Sequence, residues 1–144
     1  MFEDIICDEY TICHGDLTFN NCLWNASNQT LLVFDPGVKF GNTLLFGDPT
    51  YDWAKLYYSV VDKYDVTNDN GYVVVHGDDV ILHPSPDYSL MGTFWDVCSV
   101  SKKQIYARLT TIWFSLVGYL QNDIDTMDFA FYKGCLAYER YIAS

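Results

Sequence analysis

Between Thr11 and Val60 short apolar runs alternate with polar turns, and the last turn leads into a helix start written in unambiguous residues. Thr11-Ile12-Cys13 reads as a short strand entering a polar turn at residues 14–21. Cys22-Leu23-Trp24 and Thr30-Leu31-Leu32-Val33-Phe34 read as two strands joined by the turn Asn25-Ala26-Ser27-Asn28-Gln29. The second run stops at Asp35-Pro36-Gly37. After a glycine-containing loop, Gly47-Asp48-Pro49 opens a helix, with Asp48 as N-cap and Pro49 at the first helical position. Asp52 then lies near the positive end of the helix dipole. Trp53, Leu56, Tyr57 and Val60 recur at i, i+3, i+4 and i+7, which predicts a helix through Val60 with that stripe inward.

The remainder is less sharply marked. Residues 64–90 read as loop-rich, with one hairpin: Tyr72–Val75, a turn at His76-Gly77-Asp78-Asp79, then Val80–Leu82. Two further helices are expected at about Lys102–Gln121 and about Thr126–Tyr141. The whole of 1–144 is expected to form a single α+β domain, since a chain of this length buries roughly 70% of the surface its unfolded form exposes. With 19 acidic against 8 basic side chains the net charge is -11, which excludes the basic footprint of a nucleic-acid binder. The most apolar stretch, Leu109 to Leu120, falls short of the ~18 residues a membrane span needs. The acidic N-terminus is unlike a secretory signal. Five cysteines without a C-x-x-C pair point to neither a disulfide frame nor a zinc site, so a cytoplasmic location is expected.

The chemistry concentrates in residues 14–52. His14-Gly15-Asp16 alone is a weak signal, and the chain supplies a control in its second copy, His76-Gly77-Asp78. Five residues beyond Asp78 stands His83, with no amide to match, and that copy reads as a turn. Five residues beyond Asp16 stands Asn21, giving H-G-D-x-x-x-x-N, and Asp35 closes the next apolar strand. Phosphoryl transfer uses these types together: a carboxylate orients the attacking hydroxyl, and oxygen ligands hold magnesium against nucleotide phosphates. Magnesium keeps several waters, so one Asp and one Asn carbonyl suffice as protein ligands.

The runs HGDLTFNNCLW, LLVFDPG and GDPTYDWAKLYYSVVDKYD resemble the C-terminal lobe of the aminoglycoside phosphotransferase and choline kinase superfamily, which has a protein-kinase-like fold. Within it they are most similar to bacterial phosphotransferases associated with capsular polysaccharide genes. The likeness spans about Thr11 to Asp65. It implies a mostly helical lobe with short β-hairpins around a catalytic loop, magnesium as cofactor, and ATP as co-substrate. It implies Asp16 as the catalytic base and Asn21 and Asp35 as magnesium ligands. His14, grouped with Asp16 in the catalytic loop, would mainly organise that loop, Asp52 would anchor its backbone, and Asp48 would cap the helix. The chain departs from those relatives at Gly37, where they usually carry arginine, and at Tyr58, where they usually carry histidine. Such enzymes also need an N-terminal nucleotide lobe with a phosphate-binding lysine, whereas the 13 residues before His14 hold no lysine or arginine. That lobe is expected to be absent from these 144 residues and supplied in cis or in trans.

Two functions are therefore expected in competition. One is an ATP-dependent phosphotransferase lobe acting on a small-molecule hydroxyl: a sugar, a choline-like alcohol or an aminoglycoside. The other is a non-catalytic remnant or binding module that keeps the lobe without ATP chemistry. Cys13 and Cys22 flank the loop and are expected to be packed as small hydrophobes. Trp113, Phe114, Tyr119, Phe129, Phe131, Tyr132 and Tyr138 are expected in a core or lobe interface, and His83 on the surface.

Overall fold

The computed structural model describes residues 7, 9–37, 42–67, 70–85, 88–120 and 123–144. The helix start at Asp48-Pro49 forms as its residues dictate. Helix α1 spans Pro49–Val60, and the Asp48 side chain accepts the Thr50 N–H at 2.9 Å. Before it come β1 (Thr11–Ile12), a 3-10 turn at Phe19–Asn21, the hairpin strands β2 (Cys22–Asn25) and β3 (Thr30–Val33), and β4 (Phe46–Gly47). β1 pairs antiparallel with β4, Thr11 opposite Gly47, and β2 pairs with β3 from Cys22–Val33 to Asn25–Thr30. These two pairs border the loop at 14–21.

After α1 come a single turn α2 (Tyr64–Thr67), β5 (Tyr72–His76), β6 (Asp79–His83), α3 (Met91–Val97), α4 (Lys102–Val117) and α5 (Ile124–Ala143). The two long helices carry side-chain caps: Ser101 accepts from Gln104 N–H, and Asp123 from Thr126 N–H. The second His-Gly-Asp copy is a hairpin turn, with His76 paired to Asp79 and Gly77 at φ +65°. The β5–β6 hairpin lies against α5 rather than beside the loop. The result is an α+β chain, with about half of the described residues helical.

The core lies where α1, α4 and α5 meet. Ala54, Tyr57, Tyr58 and Val61 pack with Ile105, Leu109, Ile112 and Trp113 and with Phe129, Ala130 and Ala137. The inward face of α1 is thus turned by about one residue from the expected stripe. Trp53, Leu56 and Val60 are only half-buried, and Trp53 and Leu56 instead line a cavity of about 230 Å³ under the loop with Ile12, Cys13 and Leu17. Helix α3 forms between the loop-rich stretch 64–90 and α4, where the sequence reading places no element. It has no side-chain cap, and its anchor is tertiary: Phe94 is buried edge-on against Tyr57, ring centroids 5.0 Å apart. His83 is not a bare surface residue but stacks on Tyr72 at 4.9 Å. The late aromatics divide: Trp113 and Phe129 are core, while Phe114, Tyr119, Phe131 and Tyr138 are exposed.

One buried ion pair sits inside this core. Lys133 Nζ lies 2.8 Å from Asp62 Oδ1, and the indole N–H of Trp113 donates to Asp62 Oδ2 at 2.9 Å. Both carboxylate oxygens are satisfied, so the charge is tolerated where an unpaired one would not be. No helix among the described residues is long and apolar enough to cross a membrane, and all five cysteines are free.

Candidate active site

The loop at 14–21 is held by one face of α1. Asp52, Lys55 and Ser59 recur at i, i+3 and i+7, which places them in a row along the helix. Asp52 Oδ2 accepts the His14 N–H at 2.6 Å and Asp52 Oδ1 the Gly15 N–H at 2.7 Å. Lys55 Nζ lies 2.8 Å from Asp16 Oδ1. Ser59 Oγ accepts the Phe19 N–H at 2.8 Å, and its hydroxyl donates a hydrogen bond to Asp65 Oδ2. Successive helix positions thus meet successive loop positions, and the loop takes its shape from the helix. Gly15, at φ +79°, supplies a backbone turn that other residues rarely adopt.

The imidazole of His14 is committed on both sides. Its Nδ1 receives the Asp16 N–H at 3.3 Å, which leaves Nε2 as the protonated nitrogen, donating to the Phe34 carbonyl at 2.9 Å. The same turn is clamped twice more. Phe34 N–H donates to the Asn21 carbonyl at 3.0 Å, and Gly37 N–H to the His14 carbonyl at 2.7 Å. Asp35, at φ +55°, is held between those two clamp points and is exposed. Gly37 approaches so closely that a Cβ there would stand 2.7 Å from the backbone carbon and oxygen of Gly15. Any side chain at 37 would require the turn to stand off the loop.

Asn21 is buried and reaches back to Asp16. Its Nδ2 donates to the Asp16 carbonyl at 2.8 Å and to Asp16 Oδ2 at 3.0 Å. Because a carbonyl only accepts, the amide nitrogen must face it, and Asn21 Oδ1 is left for another partner. The two Asp16 carboxylate oxygens are thereby divided, one toward Lys55 and one toward Asn21.

No family model, curated protein or solved structure matches this chain. The reading of the site therefore rests on its own geometry and residue chemistry. Among the described residues no group of three or more His, Cys, Asp or Glu is gathered to hold a metal. A magnesium site of one carboxylate and one amide oxygen is of another kind, and Asp35 and Asn21 Oδ1 are hard oxygen donors of the type that ion takes.

Asp48 stands apart from the loop. Besides capping α1, its Oδ2 receives Arg108 Nη2 and the Thr50 hydroxyl, while Arg108 Nε donates to Thr50 Oγ1 at 3.3 Å. Burial pushes its carboxyl pKa up, but the Thr50 hydrogen bonds and the Arg108 charge outweigh that and hold it below the ordinary value. Cys13 is buried and Cys22 half-buried, and burial pushes both thiols above their ordinary value.

Lys55, Ser59 and Arg108 carry no motif, and Asp65, expected on a solvated acidic rim, instead has a buried Oδ1 and takes the Ser59 hydroxyl. The signal for the first two was present in the i, i+3, i+7 spacing with Asp52, but the apolar stripe on the neighbouring face drew the reading there. Asp65 and Arg108 enter through tertiary contacts that no local spacing encodes.

Proposed function

We propose that this chain is the acceptor- and metal-binding lobe of an ATP-dependent phosphotransferase acting on a small-molecule hydroxyl. The observation that carries the reading is the α1 row of Asp52, Lys55 and Ser59, which holds Asp16 and Asn21 on a loop clamped to the Asp35 turn. Three oxygen-bearing side chains that phosphoryl transfer requires are thus organised by a shared backbone frame. In the reaction, the acceptor hydroxyl oxygen bonds to the γ-phosphorus while the bond to the ADP oxygen breaks, its electron pair leaving with ADP. The hydroxyl proton passes to the Asp16 carboxylate. Asn21 Oδ1 and Asp35 would hold magnesium, which neutralises charge on the phosphates when bound. With both ring nitrogens engaged, His14 organises the loop and takes no proton.

A nucleotide lobe, in cis or in trans, completes this reading. The surface bordering the loop fits such a partner: Leu23, Trp24, Leu31 and Leu32 on the β2–β3 hairpin and Phe46 beside β1 are each more than half exposed. Leu23 pairs with Leu32 on one face of the hairpin and Trp24 with Leu31 on the other, so apolar side chains are exposed on both faces for a partner to cover. The competing reading, a non-catalytic binding module, draws on the same division of Asp16 between Lys55 and Asn21, which satisfies the carboxylate without any ligand.

Transfer of labelled γ-phosphate from ATP to sugars, choline-like alcohols and aminoglycosides separates the two. The protein should be purified from its native cells, so that any attached lobe is retained. Wild type is expected to label at least one acceptor, and Asp16→Asn and Asp35→Ala to lose about 100-fold or more in rate. Variants that keep wild-type rates would remove the assignment, and a wild type that labels none of the acceptors would favour the binding module.

A further inference from the structure

We infer that Lys55 is a phosphate-contacting residue: it holds Asp16 in the ligand-free chain and donates to the transferred phosphoryl group when a nucleotide polyphosphate enters. The inference rests on the phosphotransferase reading and supplies the cation that the segment before His14 lacks.

Arg108 is committed to Asp48 and Thr50 at the start of α1. Lys133 is buried against Asp62, and Arg140 lies 4.9 Å over the Tyr88 ring while donating to the Tyr57 hydroxyl. Lys55, by contrast, is in contact with the loop through Asp16. Its Nζ lies over the Tyr58 ring, 4.8 Å from the centroid, and its side chain is only 15% exposed. The ammonium is therefore delivered to the loop by a packed stem rather than swinging in solvent.

Charge and donor count then set what it can do. An ammonium has three N–H donors, and Asp16 Oδ1 takes one. No other hydrogen-bond acceptor for Nζ is found among the described residues. A carboxylate oxygen has two lone-pair sites, so Asp16 Oδ1 can keep Lys55 and still accept an acceptor hydroxyl. The transferred phosphoryl group lies next to that hydroxyl at the moment of attack, which puts its non-bridging oxygens within the reach of the remaining Lys55 donors. Lys55 transfers no proton. It offsets the charge of a polyanion brought to a chain that carries -11.

Inorganic tripolyphosphate with magnesium, titrated into the full chain and followed by the amide resonances of residues 14–21, tests this without any need for turnover. Wild type is expected to saturate, Lys55→Met to bind about tenfold or more weakly, and Lys55→Arg to recover most of the loss. Lys55→Gln, which keeps the stem and loses the charge, should behave as Lys55→Met and guards against a packing defect. Asp35→Ala should remove the magnesium dependence while leaving Lys55 in place. If Lys55→Met and Lys55→Gln titrate like wild type while Asp35→Ala still loses its magnesium dependence, the Lys55 assignment fails and the phosphotransferase reading stands. If wild type gives no response at the loop, both fail.

Discussion

At the scale of single residues, the account turns on how tightly the Asp35 turn is pressed to the loop. Gly37→Ala would place a methyl group 2.7 Å from backbone atoms of Gly15, which cannot swing aside as a side chain could. The variant should lose about 1–3 kcal/mol in urea unfolding, as overpacked sites do, and its residue-37 amide should exchange faster. An unchanged midpoint would mean that the two segments are not held in register.

Asp48 has a second, electrostatic signature. Its folded carboxyl binds a proton less readily than the unfolded one, so the unfolded chain takes up more protons as the solution is acidified. The stability that Asp48 contributes is present above the ordinary carboxylate pKa and is lost as pH falls through the lower folded value. Between about pH 5 and about pH 3, wild type should therefore lose more stability than Asp48→Asn, measured as the shift in urea midpoint. Equal slopes would show that Arg108 and Thr50 do not act on this carboxylate.

At the scale of elements, α1 has two working faces, and only one was legible. Proline after a capping aspartate marks a helix start in any context, so Asp48-Pro49 placed the N-terminus of α1 correctly from sequence. Apolar periodicity pointed to Trp53, Leu56, Tyr57 and Val60; Tyr57 is in the core as expected, while the other three are half-buried at its margin, Trp53 and Leu56 lining the cavity beside the loop. The deeper core contact runs along Ala54, Tyr57, Tyr58 and Val61, because α4 and α5 approach from that side. A helix surrounded by packing on more than one side has no single apolar stripe to read. Helix α3 was invisible for a related reason: its stability comes from burying Phe94, not from caps or propensity.

The polar face makes its own prediction. Ser59→Ala removes the acceptor for Phe19 N–H and the donor to Asp65, whose Oδ1 is already buried without a hydrogen-bond partner. It should cost about 1–3 kcal/mol and speed hydrogen exchange at Phe19, while exchange within α1 is unchanged. Loss of protection along α1 instead would mean that Ser59 supports the helix rather than the loop.

At the scale of the whole molecule, the helices α1, α4 and α5 form a packed body, and the strands of the first half sit on its flank with most of their apolar residues exposed. The block at 11–60 was readable because turns and caps are local chemistry. The Lys55–Asp16 pair and the clamp between His14 and the Asp35 turn were not, because they join segments brought together only by the fold. The central claim is that this assembled frame holds a divalent metal with a nucleotide. Manganese replaces magnesium at oxygen ligands and broadens nearby resonances, so a titration of the chain with manganese and ATP locates the metal directly. The account predicts selective broadening of the amides of 16–21 and 34–37, lost in Asp35→Ala. Broadening centred instead on the acidic hairpin turn at Asp78 and Asp79, or spread evenly over the acidic surface, would contradict it.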